Sequence, residues 1–377
     1  MERDFIQRFY KIDKLLKPQK VLVIYGPRRA GKTTFLMDFL NRTKLKYKLD
    51  SGDNFKIQQM FSSQDFYSLK EYSAGYDLIA IDEAQQIPQI GMALKILVDQ
   101  VEGLMVIATG SSSFDLSQKI GEPLTGRKKT ITLYPFSQTE LLAKYNKYEL
   151  KEQLENFLIF GSYPEAVNAI TKKEKIAVLE EIVGSYLLKD ALSIEKIKGA
   201  SQLMDLLKLV AFQVGKEVVL SELAQQVRLD VKTVGRYLDI LEKCFVLKKI
   251  GGLGRNLRKE ITSKARYYFW DNGVRNAVVS QFNGLKDRDD VGLLFENFMV
   301  MERLKANEYQ ERYGSVYFWR TYDGQEIDFV EERDNKFFAF EFKWSNGMKK
   351  PPSAWLANYP NSEYKIVSRE NYLDFLL

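Results

Sequence analysis

The sequence predicts an α/β protein that opens on a parallel sheet covered by helices and changes architecture twice along the chain. Three observations carry that expectation. Near-continuous apolar runs at residues 21–25, 76–82 and 104–110 alternate with helical stretches over 1–199, as strands buried on both faces do. Two short amphipathic helices and a basic, glycine-containing stretch occupy 200–284. A helix followed by strand-like runs fills 285–377.

At 377 residues the chain exceeds one usual core, so several domains are expected. Its 45% hydrophobic and 28% charged residues are those of a soluble globular protein. The opening MERDFIQRFYK is too charged for a secretory leader, and no apolar run reaches bilayer length, so the cytoplasm is the expected compartment. There is one cysteine, Cys244, and no histidine. That excludes intrachain disulfides, zinc sites built on His and Cys, Ser–His triads and nucleases with a histidine base. Any metal falls to carboxylates and hydroxyls, which suit magnesium, manganese or calcium.

The strand at 21–25 runs into Gly26-Pro27-Arg28-Arg29-Ala30-Gly31-Lys32-Thr33-Thr34, and an apolar-periodic helix follows. This is a phosphate-binding loop in its strand–loop–helix setting. Loop amides and the helix N-terminus would wrap the phosphates of ATP, Lys32 would neutralise the β- and γ-phosphates, and the Thr33 hydroxyl would ligate magnesium. Asp82 closes the second apolar strand and would hold the same ion, while Glu83 would polarise the attacking water. Thr109 or Ser111, ending the third run, would orient that water or form a plain turn. Arg127 is a candidate arginine finger, acting in cis or from a second copy in a homo-oligomer, with Arg28 and Arg29 as alternatives.

In the middle region, helices at 218–224 and 232–241 flank a turn at 228–231, and a strand at 266–270 follows the basic stretch. Helix, turn, helix and ribbon describe a winged helix. Thr233, Arg236 and Tyr237 are expected to face outward. From Lys243 to Arg266 there are eight basic residues against one acid, a local balance of +7. Arg236 with Arg255, Arg258 and Lys259 would contact DNA; a winged helix also serves as a protein-docking or lid element.

From residue 285 onward, 13 basic and 17 acidic residues give a balance of −4. Period-two alternation places Glu326 and Asp328 on one strand face, opposite Ile327 and Phe329, and puts Glu341 with Lys343 opposite the phenylalanines. Glu296 on the preceding helix would join them. Asp328 and Glu341 would hold magnesium or manganese, and Lys343 would stabilise a pentavalent phosphorus, a D…E-x-K nuclease arrangement. An amphipathic sheet with salt bridges is the alternative.

Taken in order, GPRRAGKTT, LIAIDEAQ, ATGSSS, LTGRKKTITLYPFSQTEL, FGSYPEAV, YFWDNGVRN, LFENFM, WRT with EIDF, and FEFKWS make the chain resemble prokaryotic AAA-type ATPases of an archaeal-ATPase-like branch. The resemblance covers essentially the whole chain. It implies an AAA-type P-loop ATPase with a helical lid (1–199), a winged helix (200–284) and an α/β restriction-endonuclease-like, PD-(D/E)XK domain (285–377). It also implies nucleotide roles for Lys32, Thr33, Asp82 and Glu83, and nuclease-like roles for Glu296, Asp328, Glu341 and Lys343. Two functions follow as expectations: ATP-driven DNA processing with cleavage by the C-terminal domain, or a regulatory NTPase whose C-terminal domain binds DNA or a partner protein without cutting.

Overall fold

The computed structural model describes residues 5–111, 123–187, 199–254, 265–345 and 350–377. Two sheets organise them. The first has five parallel strands: β1 (Val21–Tyr25), β2 (Tyr47–Ser51), β3 (Leu78–Asp82), β4 (Met105–Thr109) and β5 (Lys128–Thr132), in spatial order β2-β3-β4-β1-β5. The apolar runs are continuous because both faces are covered. Val21, Val23, Ile79 and Ile81 enter one buried cluster with the helix Ile90–Gln100. Leu22, Ile24, Leu78 and Ala80 enter another, against Phe35, Leu36, Phe39 and Leu40 of the helix Lys32–Arg42. The edge strands β2 and β5 escape the apolar-run criterion. Their sequences, YKLDS and KKTIT, are mixed because an edge is only half covered.

The second sheet holds six strands in the order β11-β10-β9-β8-β6-β7. These are β6 (Leu247–Gly252), β7 (Ala265–Phe269), β8 (Ser315–Arg320), β9 (Glu326–Arg333), β10 (Lys336–Lys343) and β11 (Glu363–Ser368). The helices Leu220–Val227 and Val231–Lys243 precede the antiparallel pair β6–β7. That pair is no free wing. β6 continues into parallel pairing with β8 through Gly251↔Tyr317 and Gly252↔Phe318, so one sheet crosses the expected boundary at 284. A single buried cluster likewise runs from Tyr134 through Leu207, Leu238 and Phe269 to Phe298 and Leu376.

Strict alternation fails in β9. Tyr317 pairs with Val330 while Trp319 pairs with Ile327, so β9 carries one residue more than β8 between these points. Such a bulge re-aims side chains. Ile327 packs with Trp319, Val330 and Trp355, whereas Phe329 packs in the large cluster beside Phe340 and Phe342. The expectation that these two residues share a face is therefore corrected. No helix among the described residues is long and apolar enough to cross a membrane.

Candidate functional site

The loop after β1 is shaped by Gly26, whose φ of 148° belongs to glycine and whose Cβ would stand 2.1 Å from the Leu133 carbonyl oxygen. Gly31, at φ 89°, then starts the helix Lys32–Arg42, directing its first unpaired amides at the loop. Lys32 is buried and donates to the carbonyls of Gly26 and Pro27 at 2.8 and 2.9 Å.

β4 lies between β1 and β3, so Thr109 stands between the loop and the acidic pair. Thr33 Oγ1 donates to Asp82 Oδ2 at 2.8 Å, and Thr109 Oγ1 donates to Asp82 Oδ1. The Glu83 amide donates to Asp82 Oδ1 at 3.1 Å and Thr109 Oγ1 at 3.3 Å, with Glu83 itself left-handed at φ 49°. Gln85 donates to the Glu83 carboxylate and to Ser111 Oγ. Two adjacent hard oxygens, from Thr33 and Asp82, fit a magnesium ion that takes its remaining ligands from phosphate and water.

A cavity of about 640 Å³ opens on this loop. Arg28, Lys32, Thr33, Thr34 and Glu83 line it, together with the apolar Phe5, Ile6, Phe136, Pro164 and Ile170. Three connections here escape sequence reasoning. Arg8, buried beside the Phe136 ring, donates to the Ala30 carbonyl of the loop and to Glu140. Glu140 in turn accepts from Tyr309 Oη at 3.4 Å, at the end of the helix Val291–Tyr309. Arg29 pairs with Glu165 and Glu181 of the helical segment that follows the sheet. Arg29, Glu140 and Glu165 lie in quoted segments, GPRRAGKTT, LTGRKKTITLYPFSQTEL and FGSYPEAV, but nothing local says which partners they meet.

Arg127 requires a correction. Its carbonyl accepts from the Val21 amide and its side chain pairs with Asp99, at the start of β5. The phosphate loop begins at Gly26, beyond the other end of the neighbouring parallel strand, roughly 16 Å from Val21 at about 3.3 Å per residue. A finger role in cis does not fit; only supply to another copy keeps it as a candidate.

In the middle region Arg236 is exposed, but Tyr237 is buried and Thr233 is engaged by the Asp230 cap. Lys232, Arg236 and Lys243 share an exposed helix face, interrupted by Asp239. Arg255, Arg258 and Lys259 lie outside the described residues.

At the second sheet, Glu341 Oε1 meets Lys343 Nζ at 2.8 Å, and Asp328 Oδ2 accepts from the Phe342 amide at 2.9 Å. Glu296 accepts from Tyr268 Oη at 2.8 Å. Arg266 of β7, 4% exposed and against the Phe318 ring, inserts among the acids. It lies 3.5 Å from Glu296, 3.1 Å from Glu326 and 4.0 Å from Asp328. Burial, then the Asp328 charge, holds the Glu296 carboxyl above its ordinary range; burial, then Glu341, does the same for Asp328. Among the described residues no three or more acids converge as a metal would require. The residues as arranged do not fit a divalent ion, because the chain's own cations fill the cluster.

Comparison with known proteins agrees with the first half of this picture. Residues 18–142 match an AAA domain family (AAA_14). Residues 151–287 and 291–371 match two domains of unknown function, DUF8612 and DUF4143. The chain thus carries an AAA-type, P-loop ATPase-like domain. Similar curated proteins include the uncharacterized protein Rv2008c of Mycobacterium tuberculosis, 24% identical over 88% of this chain and 72% of that protein. An uncharacterized protein of Haemophilus influenzae is 26% identical over 85% and 82% respectively. The uncharacterized protein MJ1544 of Methanocaldococcus jannaschii is 23% identical over 86% and 75%. Among solved structures, the Signal Transduction ATPase with Numerous Domains (STAND) protein PH0952 of Pyrococcus horikoshii, which has a tetratricopeptide repeat sensor, aligns at TM-score 0.32 and 14% identity. It covers 84% of this chain, which spans 49% of that one, and a likeness at this level carries no argument.

Proposed function

We propose that the chain is a magnesium-dependent ATPase whose hydrolysis acts as a switch on its C-terminal half. The observation that carries the reading is the Thr33–Asp82–Thr109 chain of hydroxyls and carboxylate beside Glu83. Lys32 and the loop amides hold the phosphates; Thr109 fixes the Asp82 carboxylate; Glu83, oriented by Gln85, takes the proton of the attacking water. Magnesium bound by Thr33 and Asp82 would supply charge neutralisation at the phosphates. Phe5, Ile6, Pro164 and Ile170 supply an apolar wall suited to the base.

The switch part rests on the contacts from Ala30 through Arg8 and Glu140 to Tyr309, which tie the loop to the helix bearing Glu296. DNA contact through Lys232, Arg236 and Lys243 of a winged-helix-like unit is the output favoured by their exposed, basic face. The test is ATP hydrolysis by the full chain with and without single-stranded, duplex and branched DNA. Stimulation by one of them supports the DNA-responsive switch. Turnover that none of them changes sinks the DNA output.

A further inference from the structure

The C-terminal acidic cluster contains four carboxylates, from Glu296, Glu326, Asp328 and Glu341, supplied by three separate elements. Acids so gathered would repel one another, and a hard divalent ion is one remedy. The fold supplies another. Arg266 enters from β7, a strand belonging to the sequence region before the cluster, and its Nη1 faces both Glu296 at 3.5 Å and Asp328 at 4.0 Å. Its Nη2 reaches Glu326 at 3.1 Å. The Phe318 ring lies 4.5 Å from the guanidinium carbon, and the residue is 4% exposed, so its position is set by packing. Lys343 covers Glu341.

We infer that Arg266 is the resident cation of this cluster, standing where a divalent ion would otherwise bridge Glu296 and Asp328. A magnesium ion needs oxygens at about 2.0–2.1 Å in near-octahedral order. Reaching Asp328 and Glu296 together would bring it against a fixed guanidinium of the same sign. The pairing of β6 with β8 explains why Arg266 is delivered here: it fixes the ribbon to the C-terminal sheet. The cluster is thereby a junction in which Arg266 and Lys343 sit against the acids of β9, β10 and the helix Val291–Tyr309. This inference does not depend on the ATPase reading, and its test uses no nucleotide.

The experiment is Mn2+ binding to the full chain, followed by electron paramagnetic resonance and calorimetry, in an Asp82→Asn background that removes the nucleotide-site contribution. The expected result is no Asp328-dependent Mn2+ site at millimolar metal when Arg266 is present. Arg266→Met should gain one, and adding Asp328→Asn should abolish it. A site in the Arg266-containing protein that Asp328→Asn removes overturns the inference. So does a folded Arg266→Met protein that gains none. If circular dichroism shows that Arg266→Met does not fold, the comparison of the Arg266-containing protein with and without Asp328→Asn decides alone: a site overturns the inference and its absence supports it.

Discussion

Thr33 Oγ1 donates to Asp82 Oδ2 at 2.8 Å although 49 positions separate the two residues in sequence. The parallel order β3-β4-β1 brings them together at the C-terminal ends of the central strands, with Thr109 between them on β4. Each residue at these strand ends therefore has a separable expected effect.

Lys32→Ala should weaken ATP binding roughly 10- to 100-fold, the worth of a charge-assisted contact of about 1.5–3 kcal/mol. Glu83→Gln should keep affinity and lower turnover by roughly 10²–10⁴-fold. Calorimetry and phosphate release separate the two. Hydrolysis that survives both changes would remove the assignment.

Gly26→Ala should abolish nucleotide binding without touching any ligand-facing side chain. The residue sits at φ 148° with the Leu133 carbonyl oxygen 2.1 Å from the added Cβ, so the loop must shift at a cost of roughly 1–3 kcal/mol. A normal ATP affinity with an unchanged melting temperature would refute this.

Arg127→Ala should leave the turnover of monomeric protein within about twofold. Its Asp99 pair is partly exposed and of a kind worth about 0–1 kcal/mol. Hydrolysis measured against protein concentration, with light scattering, checks it. A loss seen only where copies associate would place the finger in trans.

Arg303 Nε and Nη2 hold the Glu331 carboxylate at 2.7 and 2.9 Å, with Asn307 adding a third donor. Burial alone would raise the Glu331 carboxyl, but the Arg303 contacts overbalance it and hold the group below its ordinary value. A depressed carboxyl contributes stability above the unfolded-state pKa of about 4.3, and that stability is lost as pH falls through the lower folded-state value. Urea midpoints should therefore fall on acidification below about pH 4. Arg303→Met should destabilise at neutral pH by less than the about 3–5 kcal/mol of a fully unpaired buried charge, because Arg333 Nη2 still meets Glu331 Oε2 at 3.1 Å, and should flatten that acid-side slope. An unchanged slope in the variant would assign the acid response to other groups.

What could be read from sequence alone was what depends on near neighbours. The phosphate loop is a local device: strand, glycines, Lys32 and helix lie within a short run, so residue type and spacing specify it. β1, β3 and β4 announce themselves because burial on both faces demands unbroken apolar runs. β2 and β5, half covered, leave no such mark. The tertiary structure decided everything set by distant partners. Strand order moved Arg127 to the wrong end of the sheet and brought Arg8 from the N-terminal segment onto the loop. A bulge in β9 broke the alternation that would have put Ile327 and Phe329 on one face. The pairing of β6 with β8 delivered Arg266 to Glu296, Glu326 and Asp328. Periodicity can say that these acids gather near one sheet; only long-range pairing determines which cation meets them.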